Sequence, residues 1–184
     1  MTWSRGNSSS SAHTSPAGWN FRSPPFFLLL LEEFGLQLQH LTPHSILLMA
    51  VFIHFMEMFV GIHPCVSVFK HFYALVRTGR SRCAIGVYYF QLRHGMSSSY
   101  ISAFSSAKWE DWRTDWVIVK TDANDRLELP MQGPLLGRYS WKARPSLPVE
   151  LNPVLDRVKT LARGGLTSMM VLGDFLRHRI APLK

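Results

Sequence analysis

The stretch HLTPHSILLMAVFIHFMEMFVGIHP, residues 40–64, decides the fold. Thr42 followed by Pro43 is a helix start. The threonine hydroxyl accepts a bond from a free backbone N–H, and proline suits the first helical position. Gly61 is the matching stop, which sets a helix from Pro43 to about Val60. It is apolar on nearly all sides, the pattern of a central buried helix. Its core, Ile46–Ile62, is 17 residues long, below the roughly 20 that a membrane span uses. His54 and Glu57 lie inside it, and a charge at mid-bilayer costs at least ~2.5 kcal/mol. A core helix fits better than a span, and no membrane partner is expected.

Working outward, Phe26–Phe34 is apolar and predicted helical, stopping at Gly35. Residues 1–25 are Ser-, Gly- and Pro-rich and read as a disordered tail. Downstream, His63–Pro64 opens a predicted helix that ends near Gly79, with Val66, Phe69, Tyr73 and Val76 on one core-facing stripe. Cys83–Leu92 is rich in β-branched and aromatic residues and reads as a strand, as does Trp116–Lys120. Trp109, Trp112 and Trp116 have the spacing of a short helical turn, and Asp122–Asp125 that of a turn. Residues 127–150 form a Pro-rich irregular arm that packs through Leu135, Tyr139 and Trp141. Asn152–Pro153 caps a helix ended by Gly164–Gly165, and Thr167 caps a last helix stopped by Pro182. The fold class is α+β: a mostly helical single domain over residues 26–184, with a small β element and the N-terminal tail.

The chain of 184 residues carries a formal charge of +8, unevenly placed. Between Met58 and Ala107 stand Lys70, Arg77, Arg80, Arg82 and Arg93 with no acid; residues 138–184 carry nine basic and three acidic residues. Such a field favours polyanions, or it is a solvated face that keeps the protein soluble. Lys70, Arg77, Arg80 and Arg82 are the candidate nucleic-acid contacts. The tryptophans at 109, 112 and 116 suit core packing better, because Glu110, Asp111 and Asp115 between them repel phosphate. The two helices flanking Gly61 have a loose helix-turn-helix shape, but the second offers an aromatic, apolar stripe rather than a groove reader. Cys65 and Cys83 make neither a disulfide framework nor a CxxC motif, and no secretory signal is evident, so an intracellular, reducing setting is expected.

Catalytic motifs are missing. There is no phosphate-cradling GxxxxGK[ST], no GxGxxG after a strand, no GxSxG and no HExxH. His63 and Cys65 lack a second ligand pair at zinc spacing. His54 and Glu57 are i, i+3 on the central helix and can face each other, as a buried pair satisfying one another or as an acid–base pair. His40 and His44 flank the cap at Thr42, where capping and loop contacts outweigh metal ligation. Ser97–Ser99 has no identifiable base. No catalytic residue, cofactor or metal ligand is assigned.

Phe34-Gly35-Leu36-Gln37-Leu38 and His40-Leu41-Thr42-Pro43-His44-Ser45-Ile46-Leu47 together resemble the opening of the plant gypsy-type transposon domain, found in proteins related to long-terminal-repeat retrotransposons. The likeness continues through Phe52, Glu57, Phe59 and Gly61-Ile62-His63-Pro64, then Phe69, Phe72, the strand ending near Arg93, Tyr100, Trp109, Trp116 and Trp141. It closes with Asp174-Phe175-Leu176 and Arg179-Ile180-Ala181-Pro182-Leu183, covering about residues 34–183. His44 stands where the family pattern has Asn, and Met56 where it has Cys. The stretch before Phe34 matches poorly, as if the domain's start were truncated. The resemblance implies an origin and no catalytic residues. It implies a non-catalytic domain of a retrotransposon-derived protein, with a role in protein association, including self-association, or a capsid-like or nucleic-acid-associated role. The alternatives are a degraded fragment of a transposition enzyme, with His54 and Glu57 as its pair, or a decayed reading frame without function.

Overall fold

The computed structural model describes residues 2–5, 25–77, 86–101, 117–120 and 144–183. The chain divides into two units, Met1–Pro24 with Ala107–Gln132 and Pro25–Ser106 with Gly133–Lys184. In the first unit, strand β1 (Thr2–Arg5) pairs antiparallel with a strand at Val117–Lys120, from Thr2↔Lys120 to Arg5↔Val117. The sequence reading places no strand in the first residues. The rest of the tail, and the features read at Trp109, Trp112, Asp122–Asp125, Leu135, Tyr139 and Trp141, lie outside the described residues.

Among its described residues the second unit is mostly helical with one two-stranded antiparallel sheet, as the sequence predicts. Helix α1 spans Pro25–Phe34 and buries Phe26, Phe27, Leu30 and Phe34. Helix α2 spans Pro43–Phe55 and continues as a π-helical turn, Met56–Val60. The Thr42 side chain accepts from Ser45 N at 3.4 Å. At the far end Gly61 adopts φ 86°, and its N–H reaches Met56 O at 2.9 Å. Only glycine takes that left-handed conformation without strain, so the stop read from sequence has a backbone cause. The segment Pro43–Val60 is long and apolar enough to cross a membrane by length and composition. In this fold it buries Leu48, Met49, Val51, Phe52, Phe55 and Met56.

The next element corrects the sequence reading. Helix α3 spans only Val66–Phe72, and the chain then turns into strand β2, Tyr73–Arg77. Strand β3, Tyr88–Leu92, pairs with β2 in the register Tyr73↔Leu92 to Arg77↔Tyr88. The predicted strand ending at Lys120 is strand β4, Val117–Lys120, the partner of β1. Tyr73 is already extended, at φ −115° and ψ 146°. Tyr73 and Leu75 are buried while Ala74 and Val76 are not fully so. A short apolar run satisfies the helical and the alternating pattern alike. Pairing with β3 favours the strand.

The aromatic core gathers at this junction. Phe69 stacks on Tyr73 at 4.9 Å between ring centroids and meets Phe52 and Phe90 edge-on at 5.0 and 4.9 Å. Such pairs add about 0.5–1.5 kcal/mol each beyond area burial. The start of α2 is fastened to β3: Thr42 N donates to Tyr88 O at 2.9 Å, and Phe90 N donates to Ser45 Oγ at 3.0 Å. Helix α4 (Asn152–Arg163) is led in by a 3-10 turn, Val149–Leu151, so Asn152 is the first helical residue rather than a side-chain cap. Helix α5 (Ser168–Phe175) is capped by Thr167 as predicted, and continues through a π-helical turn, Leu176–Ile180, to a final 3-10 turn holding Pro182.

Candidate anion-binding site

Beside the hairpin of β2 and β3 lies an open cavity of about 550 Å³, lined by Ala74, Val76, Gln91, Leu92, Arg93, His94 and Arg144. Ala74 and Val76 come from the less buried positions of β2, so strand alternation builds the apolar part of its wall. Among the described residues the polar part is cationic or neutral, and no carboxylate lines it.

Arg93 follows directly on β3. Its backbone N–H donates to Phe72 O at 2.8 Å, and its Nε donates to Lys70 O at 2.8 Å. A guanidinium at the last carbonyls of α3 meets the negative end of that helix, which favours it. Burial first, and then the charge of Arg144, press Arg93 below the ordinary arginine value. Arg144 Nη2 lies 3.0 Å from His71 Nε2. Arginine is donor-only, so Nε2 is the acceptor and this imidazole is neutral, with its proton on Nδ1. Burial is the main cause of that state. Arg144, Lys159 and Arg93 add to it, and His71 falls to about 4. Three positive charges therefore act on the neutral His71 of α3: Arg93 at the end of β3, Arg144 in the segment before the 3-10 turn, and Lys159 of α4. Lys159 is partly offset by Asp156, 3.2 Å away.

The candidate contacts read from sequence fall differently. Lys70 pairs with Glu33 and lies 5.9 Å above the Phe34 ring, so its carbonyl serves Arg93 while its ammonium is turned to α1. Arg77 is exposed at the end of β2. Arg80 and Arg82 lie outside the described residues. Sequence reading missed His71 and Arg144 as members of one cluster. A contact between positions 73 residues apart leaves no local signal.

A second polar cluster replaces the pair expected at His54 and Glu57. His54, 1% exposed, bonds through Nε2 to Asp174 Oδ2 of α5 at 2.8 Å. Glu57 instead accepts from Arg179 Nη2 at 2.8 Å. The other oxygen of Asp174 faces His178 Nδ1 at 3.1 Å. The hydrogen bond from His54 holds the Asp174 carboxyl below the usual value, helped by the charges of His178, His54 and Arg177 and opposed by desolvation. His54 Nδ1 is buried and makes no hydrogen bond among the described residues. The imidazole is edge-on to Phe175 at 5.7 Å and Phe59 at 6.1 Å. These contacts make a fastening between α2 and α5.

His40 is buried and accepts from Gln37 N at 3.0 Å through Nδ1, closing its 3-10 turn; burial lowers both it and His44. Among the described residues no group of three or more His, Cys, Asp or Glu is placed to hold a metal ion. Cys65 is a free, half-buried thiol.

Comparison with known families finds a match to part of this chain. The family model described as "Putative gypsy type transposon" matches residues 12–77. The match includes α1 and reaches upstream of it, where the sequence reading sees a degraded start, and it ends with β2. It supports the first part of the resemblance read across residues 34–183. No curated protein matches. No solved structure matches.

Proposed function

We propose that the chain is a non-catalytic, nucleic-acid-associated domain of a retrotransposon-derived protein. The transposon-type match over residues 12–77 supports the origin. The observation that carries the association with nucleic acid is the cavity wall of Arg93, His94 and Arg144, free of carboxylates among the described residues, with the charge of Lys159 nearby. Two guanidinium groups crowd one another there, that of Arg93 partly desolvated, beside a histidine kept neutral by burial and by their charge, and this concentrates positive field at the cavity. Such a field favours a polyanion. The polar groups of the His54 cluster are turned on each other and fasten two helices, which favours a structural role there over hydrolysis.

The test is binding of the folded, full chain to single-stranded RNA and to duplex DNA across a salt series. Several phosphate contacts give a steep linear fall of log affinity with log salt. A folded protein that binds neither at low salt defeats this reading and leaves the basic surface as a solubility feature.

A further inference from the structure

We infer that the cavity beside the β2–β3 hairpin is a site for one phosphate group, with the guanidinium groups of Arg144 and Arg93 as its ligands and His71 as a conditional third donor. The inference rests on the reading above only for where the phosphate comes from.

The geometry supplies the first argument. Arg144 uses Nη2 toward His71 and, at 3.8 Å, toward Met96 Sδ. A guanidinium carries five N–H donors, so Nη1 and Nε remain for a ligand among the described residues. Arg93 is held by its Nε on Lys70 O, which fixes the plane of the group at the cavity wall. Planar forks in fixed positions suit phosphate oxygens. A volume of about 550 Å³ admits a nucleotide as well as the bare anion.

Proton linkage supplies the second argument. Among the described residues, Arg144, Lys159 of α4 and Arg93 act on His71; Lys70 precedes it on its own helix, His94 follows Arg93 in the cavity wall, and Asp156 partners Lys159. Those that act on His71 are positive. A dianion entering the cavity offsets them and draws Arg144 toward itself. His71 Nε2, released from Arg144, then takes up a proton and donates to the anion.

Calorimetric titration of the full chain with sulfate, whose charge is constant over the range, isolates the protein's own protons. Sulfate binds at about pH 7.5 and binds more tightly at about pH 5.5, with proton uptake. Arg144→Ala, at an exposed position that leaves the core intact, weakens sulfate by about tenfold or more, and Arg144→Lys restores only part. His71→Gln flattens the pH dependence, whereas His94→Gln preserves it. Failure of the folded wild type to bind sulfate or phosphate, or equal binding by Arg144→Ala, overturns the site. An unchanged pH dependence in His71→Gln removes His71 from it.

Inorganic phosphate, adenosine 5′-monophosphate and a short RNA strand separate the sources. Parallel losses of RNA and phosphate binding in Arg144→Ala identify a strand phosphate as the ligand. Phosphate binding without RNA binding upholds the site and defeats the nucleic-acid reading. RNA binding without phosphate or sulfate binding does the reverse.

Discussion

His54 and Asp174, 120 residues apart in sequence, meet at 2.8 Å and tie α2 to α5. Asp174 is held below its ordinary value by this bond, so its contribution to stability has a definite sign. A carboxylate with a lowered folded-state pKa stabilises the fold above the unfolded value, and the effect is lost as pH falls through the folded value. Asp174→Asn keeps the shape and removes the charge. Urea midpoints are expected to show the variant less stable than wild type at pH 7, with the difference shrinking below about pH 4. A difference that is constant with pH would show that the carboxylate charge is idle.

His71 gives the second pH prediction, in a different window. Its value falls from 6.5 to about 4 on folding. The unfolded chain therefore binds more protons between those limits, and stability falls as the solution is acidified from about pH 6.5 to about pH 4. His71→Gln removes this dependence. It is expected to lose less stability than wild type over that interval, read as the shift in urea midpoint. Sulfate is expected to protect wild type more at the acid end, because the anion binds the protonated form more tightly.

The helix starts and stops were legible because their causes are local: Thr42, Pro43 and Gly61 act on backbone groups within a turn. The aromatic and apolar core was equally legible as a composition of faces. The sites were not. His54 has Glu57 at helical spacing, yet a closer acid arrives from α5, and Glu57 is taken by Arg179. The cavity joins residues of β2, of β3 and the two positions after it, and Arg144, with His71 of α3 held on Arg144, and no motif links them. Lys70 looked like a surface cation because Glu33 sits on another helix.

Ser45 was also silent in the sequence, where it is one residue of an apolar run. Its hydroxyl is fully buried, accepts from Phe90 N at 3.0 Å and contacts Thr42 Oγ1 at 3.1 Å. Ser45→Ala leaves a buried strand N–H without its acceptor, which costs about 1–3 kcal/mol. Thr42→Ala removes only the helix cap, at about 1 kcal/mol. Chemical denaturation of the two variants tests the order. A Ser45→Ala variant as stable as wild type would mean that Phe90 N–H finds another partner.

The switch from α3 to β2 makes the sharpest test of the fold. A continuous helix places Tyr73 and Val76 on its core-facing stripe. The strand instead buries Tyr73 and Leu75, at 5% and 1% exposure, and turns Val76 toward the cavity. Leu75→Ala is therefore expected to destabilise by about 2–5 kcal/mol, as for other core leucines. Val76→Ala is expected to cost under about 1 kcal/mol, in the range of side chains away from the core. Equilibrium unfolding of both variants decides between the structures, because a helix through Gly79 makes Val76→Ala the costly change of the two.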